Sequence, residues 1–187
     1  MDATQTLTNQ LLIAMPGMAD PNFNSTVTLI CEHNEEGALG IVINRPLTLQ
    51  LGGLFEQLEV DDADPDTAKD PVLMGGPVGQ ERGFVLHEST HSYENSLAVS
   101  SEINLTLSRD VLDAMATGDG PRKSLVALGY AGWEPGQLEE EMLANSWLNV
   151  TASPDIVFDL PFADRWAAAA QTLGVDISRM APDAGHA

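Results

Sequence analysis

Residues 26–46 read TVTLICEHNEEGALGIVINRP. Two apolar runs flank a short polar turn. In the first, Thr26 to His33, the period-two rule puts Val27, Leu29, Cys31 and His33 on one face. In the second, Ala38 to Ile43, Leu39, Ile41 and Ile43 share one face, and Gly40, Val42 and Asn44 share the other. Both faces of both runs are apolar or small, which is how strands covered on two sides read. Asn34-Glu35-Glu36-Gly37 supplies the turn, and Gly37 can adopt the positive φ that closes it. The stretch predicts a β-hairpin at the centre of the core. Pro46, which has no N–H for a ladder, is expected to end the second strand.

The whole chain of 187 residues suits one domain, 1–187, with a hydrophobic fraction of 43%. No apolar run is long enough to cross a bilayer, and no base precedes the short apolar run of MDATQTLTNQLLIAM. A single cysteine excludes an intramolecular disulfide and any four-cysteine zinc site. The cytoplasm is the expected compartment. Charge is the strongest compositional fact, with 28 acids against 8 bases and a formal net charge of −20. Such a field repels phosphate backbones and anionic lipid, so direct binding to nucleic acid or membrane is not expected.

Outward from the hairpin, Gln10 to Met15 reads as a strand and residues 16–21 as a Pro/Gly loop. Leu47, Leu51, Leu54, Phe55 and Leu58 recur at helical spacing, which predicts a short helix over 48–58, weakened by Gly52 and Gly53. Residues 59–71, EVDDADPDTAKDP, have almost nothing to bury and are expected to form an acidic, mobile loop. They lack the glycine and terminal glutamate of a calcium-binding EF-hand. Strands follow over 71–78 and 83–87, and one or two short ones over 97–107. Ser108 is expected to cap a helix that carries Val111, Leu112 and Met115 and stops before Gly118. A strand over 123–130 precedes a helix with Pro135 at its first position. Trp147 to Thr151 is a late strand, Pro161 to Leu173 a helix ended by Gly174, and the tail from about 178 is expected to fray. Strands without strict strand–helix alternation predict an α/β fold of the α+β type, with helices packed on a mixed, curved sheet.

The segments LLIAMPGMADPNF, EHNEEGALGIVINRP, GGPV followed by RGFVLH, GYAGW and NSWL occur in that order. In this the chain resembles the bacterial YqgE/AlgH family over nearly its whole length, from about Leu11 to the tail. The resemblance implies a bifurcated mixed sheet curled into a pseudo-barrel, and a cytoplasmic protein. Some members are labelled transcriptional regulators, although this sequence holds no helix-turn-helix with a basic recognition helix. The resemblance carries over no catalytic residue and no cofactor.

Candidate chemistry is sparse. Cys31 and His33 lie about 6.6 Å apart along an ideal strand, beyond the roughly 3 Å reach of a catalytic dyad unless a bulge intervenes. His87 and His91 lack a third metal ligand at recognisable spacing. Asn44, Arg45 and Arg82, with the Gly75-Gly76-Pro77 turn, compose a candidate anion pocket, since glycines admit close backbone approach and arginine binds oxyanions bidentately. Against that, the arginines can pair with local acids. Gly129-Tyr130-Ala131-Gly132-Trp133 reads either as an aromatic recognition surface or as tight packing, with packing favoured for Trp133 and Trp147. With no nucleophile–base pair, no metal cluster and no phosphate loop, the residues lean away from an enzyme. They favour a protein that acts through a protein partner in a regulatory pathway. The alternative is a binder of, or enzyme on, a small anionic metabolite held by the arginine/glycine pocket.

Overall fold

A computed structural model describes residues 6–176. The first hairpin is as the sequence predicts. β2 (Val27–Asn34) and β3 (Gly37–Val42) pair antiparallel across a turn in which Asn34 Oδ1 accepts the Glu36 N–H at 2.8 Å. β1 (Gln10–Ala14) lies on the other edge of β2 and carries β10 (Trp147–Thr151) beyond it. One ten-stranded sheet runs β10-β1-β2-β3-β9-β6-β8-β7, in which β6 is Val78–Glu88, β7 Ser96–Ala98, β8 Ile103–Thr106 and β9 Ser124–Trp133.

The sheet forks at β9. Residues 126–128 of β9 pair in parallel with β5 (Pro71–Met74), which pairs with β4 (Pro46–Gln50). Farther along, residues 131–133 pair antiparallel with β3. Gly129 stands between the two pairings at φ +80°, and there a Cβ would meet Gly76 O at 2.5 Å. Gly75 and Gly76 answer from the other side, where added Cβ atoms would fall 2.3 Å from Gly129 O and 2.1 Å from the Tyr130 carbonyl carbon. Gly75, Gly76 and Gly129 therefore let two backbones touch at the fork. This is a mixed α/β fold with a strongly curled sheet.

Helices close three apolar clusters among the described residues. α1 (Leu51–Gln57) and α3 (Asp110–Ala116) bring Leu54, Phe55, Val111 and Met115 onto Val72, Val85 and Val126. α4 (Gln137–Leu143) covers a second cluster through Leu138, together with Leu12, Ile30, Ala131, Trp133 and Trp147. α5 (Arg165–Gln171) lays Ala169 and Ala170 on the largest cluster, with Leu11, Leu29, Ile41 and Ile43.

Several sequence expectations shift. Pro46 does not end β3; it opens β4, and the half-buried Leu47 and Leu49 alternate with exposed neighbours. Period two governs those residues, so the predicted helix begins only at Leu51. Residues 59–71 contain a helical turn, α2 (Pro65–Ala68), capped by Asp64, whose carboxylate accepts the Thr67 N–H at 3.0 Å. Ser108 does not cap α3 directly. Its hydroxyl donates to Asp110 Oδ1, which accepts the Val111 N–H. Pro135 stays outside α4 because Gly136 takes φ +79° at the cap. The 161–173 helix starts as a 3-10 turn over Phe162–Asp164. β9 extends to Trp133, past the predicted end at Tyr130. The tail from about 178 lies outside the described residues.

The bulge at Cys31 is the most consequential departure. Ile30 faces Gly40 and Glu32 faces Leu39, so Cys31 is the extra residue. The extra residue reverses the alternation after it. Cys31 joins the α5-side cluster, its thiol pushed up in pKa by burial, whereas His33 turns to the α4 side. No dyad results. His33 is buried: Nδ1 accepts the Leu7 N–H at 2.8 Å and Nε2 faces Glu139 at 3.2 Å.

His87, on β6, is also buried. Its Nδ1 donates to Glu88 O at 2.6 Å, which leaves Nε2 to accept from the Thr106 hydroxyl at 2.7 Å. Burial lowers the pKa of His87 below its ordinary 6.5, and His91 adds to that. A base whose pKa falls on folding binds its proton better in the unfolded chain. Its contribution to stability is complete above about pH 6.5 and is lost as the pH falls through the folded value. Urea midpoints are expected to fall below pH 6.5, and less so in His87→Gln; parallel curves for the two proteins would contradict this.

Candidate functional site

The loop over residues 15–26 is built to hold one shape. Asp20 O accepts the N–H groups of Phe23 and Asn24, and Thr26 N–H returns to Phe23 O. Two side chains from the end of the hairpin clamp this loop. Asn44 donates to Ser25 O at 2.9 Å and accepts the Val27 N–H at 3.0 Å. Arg45 makes four hydrogen bonds of 2.8 Å, to Pro21 O, Asn22 O, Asn24 O and Asn24 Oδ1. Burial pulls the Arg45 pKa down and Asp20 opposes it.

The structure thus assigns the predicted site residues separately. Asn44 and Arg45 serve the loop, Gly75 and Gly76 serve the fork, and Arg82 is exposed on β6 beside Gly79. Arg45→Ala is expected to cost about 1–2 kcal/mol and to speed amide exchange in residues 20–26. Arg82→Ala should stay within about 0.5 kcal/mol of the parent, as exposed substitutions do. Equal losses in the two variants would refute this division.

The clamped loop presents Phe23 to the two tryptophans of GYAGW and NSWL. Phe23 and Trp147 meet edge to face at 5.6 Å, and Trp133 and Trp147 do so at 6.2 Å. Glu141 of α4 ties the group together, because its Oε1 accepts both indole N–H groups at 3.0 Å and its Oε2 accepts the Gln137 amide at 2.9 Å. A cleft of about 290 Å³ opens here, with aromatic walls from Phe23, Trp133 and Trp147 and carboxylates from Asp20 and Glu141. Aromatic faces beside carboxylates suit a cation. Packing, the reading the sequence favours for both tryptophans, is what the structure shows: both are buried, and both also line an open cleft. Sequence reasoning missed Glu141, whose one signal is its place in an acidic helix between two tryptophans.

The AlgH-like family model, DUF179, matches residues 11–178. The chain belongs to the AlgH-like family. Among similar proteins, a UPF0301 protein from Thioalkalivibrio sulfidiphilus is 53% identical, with all of both chains covered. Another from Saccharophagus degradans is 52% identical over 97% of this chain and 89% of its own. The solution structure of the AlgH protein from Pseudomonas aeruginosa matches with a TM-score of 0.80 and 50% identity, covering 100% of this chain and 99% of that one. A crystal structure of a Corynebacterium diphtheriae protein, 19% identical, shares the fold at a TM-score of 0.73 over 97% of this chain and 94% of its own. In this AlgH-like chain, the segments that meet at the cleft come from MADPNF, GYAGW and NSWL, which lie far apart in sequence. Among the described residues no group of three or more His, Cys, Asp or Glu could hold a metal ion. No helix among them is long and apolar enough to cross a membrane.

Proposed function

We propose that this AlgH-like chain is a non-catalytic binding protein that acts through a protein partner in a regulatory pathway. The partner offers a basic segment to the aromatic cleft. The observation that carries this reading is the pairing of three aromatic walls with the Asp20 and Glu141 carboxylates. A volume of about 290 Å³ accommodates one Lys or Arg side chain with its aliphatic stem. The net charge of −20 steers a basic segment toward any part of this surface, and the aromatic walls choose the place. Regulation then runs through protein contact, since this charge repels DNA.

The test is a titration of the 15N-labelled protein with a short Lys/Arg-rich peptide at low salt. The indole N–H signals of Trp133 and Trp147 should shift, and that of Trp166, which donates to Ala14 O, should not. Asp20→Asn should weaken the binding severalfold. Equal shifts with a neutral peptide of the same length, or no shift of the two indoles, would overturn the reading.

A further inference from the structure

A second cavity, of about 330 Å³, lies between the start of β9, the start of α1 and the turns that lead into α5. Its walls combine apolar side chains, among them Leu125, Phe158 and Phe162, with the polar Ser124, Asp70 and Asp159. Arg165 also lines it, although that residue is only 2% exposed. The Arg165 guanidinium donates from Nε to Leu160 O at 3.0 Å and from Nη1 to Ile43 O at 2.7 Å, and it lies 4.5 Å from the centre of the Phe162 ring. Of the five N–H groups an arginine offers, these bonds use two. Nη2 has no hydrogen-bond partner among the described residues.

A buried cation is normally matched by a carboxylate, because desolvation without a counter-charge is expensive. This chain carries 28 acids, yet among the described residues none forms an ion pair with Arg165. Asp159, which lines the same cavity and acts on Arg165 through space without an ion-pair contact, is held by Lys123 Nζ at 2.8 Å. Asp70 stands at the cavity wall with its pKa raised by burial and by Asp64 and Asp66. The cavity therefore joins a buried guanidinium that makes no ion pair among the described residues to a space walled in part by apolar side chains.

We infer that this cavity is a binding site for a small carboxylate with an apolar body, its carboxylate received by the free N–H groups of Arg165. The site shares no residue with the aromatic cleft, so it stands or falls independently of the partner reading.

The experiment titrates the 15N-labelled full chain with benzoate, benzamide and benzylamine. Benzoate should shift the amides of Ser124 to Val126 and bind about tenfold or more tightly than its neutral isostere benzamide, with benzylamine weaker still. Asp70→Asn removes a like charge from the wall and should tighten benzoate binding severalfold. Arg165→Lys should weaken benzoate about tenfold without changing benzamide, because a point charge cannot reproduce the planar fork. Should that variant not fold, Ser124→Phe, at a half-buried position on the cavity wall, fills the space while leaving Arg165 in place, and it should abolish the benzoate shifts. Equal binding of benzoate and benzamide, benzoate shifts that persist in Ser124→Phe, or no titration at tens of millimolar would overturn the inference.

Discussion

Gly129→Ala is expected to destabilise the fold by about 4 kcal/mol, from backbone strain and overpacking together. At φ +80° an L side chain is strained, and the new Cβ would stand 2.5 Å from Gly76 O and 3.1 Å from Val78 O. Both neighbours are backbone carbonyls, so no side chain can move aside. The fork itself depends on this contact, since residues 126–128 pair with β5 and residues 131–133 with β3. Gly136→Ala is the control. It has the same sign of φ, at +79°, but nothing within 4 Å of the added Cβ. Strain alone should cost it about 1 kcal/mol. Urea unfolding of the two variants separates the terms, and equal midpoints would show that the close approach at the fork carries little energy.

The second large effect belongs to Glu141. Its Oε1 is the acceptor for two indole N–H groups on tryptophans that are 7% and 4% exposed. Truncation in Glu141→Ala leaves both donors unpaired, at a cost of about 3 kcal/mol in all. In Glu141→Gln the amide oxygen can accept both indoles, and the loss should stay within about 1 kcal/mol. Near-UV circular dichroism and urea midpoints read the difference. If Gln is as damaging as Ala, the charge of Glu141 matters more than its geometry as an acceptor. Because this residue also lines the cleft, the Gln variant has a further use. It keeps the indoles in place while removing a negative charge, so its affinity for a basic peptide should fall although its stability hardly changes.

Much of the fold is legible in local pattern. The hairpin at 26–46 declares itself because two apolar runs of strand length flank a polar turn with Gly37 at φ +130°. β10 spans Trp147–Thr151 as read from the sequence. Where the sequence misleads, two periods compete over few residues. Leu47, Leu51 and Leu54 fit a helical spacing, but the pairing of Pro46 with Leu73 and Gln50 with Pro71 makes the first part of that stretch a strand. The bulge at Cys31 is invisible to any periodic rule, because only the register with Gly40 and Leu39 shows the extra residue.

The candidate sites divide in the same way. Asn44, Arg45, Gly75, Gly76 and Arg82 stood out because their residue types suit an anion. The tertiary structure gives Arg45 four loop acceptors and turns the glycines to a backbone crossing. By itself, the sequence determined the composition, the charge, the strand-rich α/β class and the family, since these follow from residue identity and short-range order. Only the tertiary structure decided which chemistry meets. Phe23, Trp133, Glu141 and Trp147 come together, and Arg165 is buried without an ion pair among the described residues, through strand pairings and helix packings between residues far apart in the chain. A side chain's partners are set by whatever the fold places within hydrogen-bond reach, and sequence distance carries no measure of that.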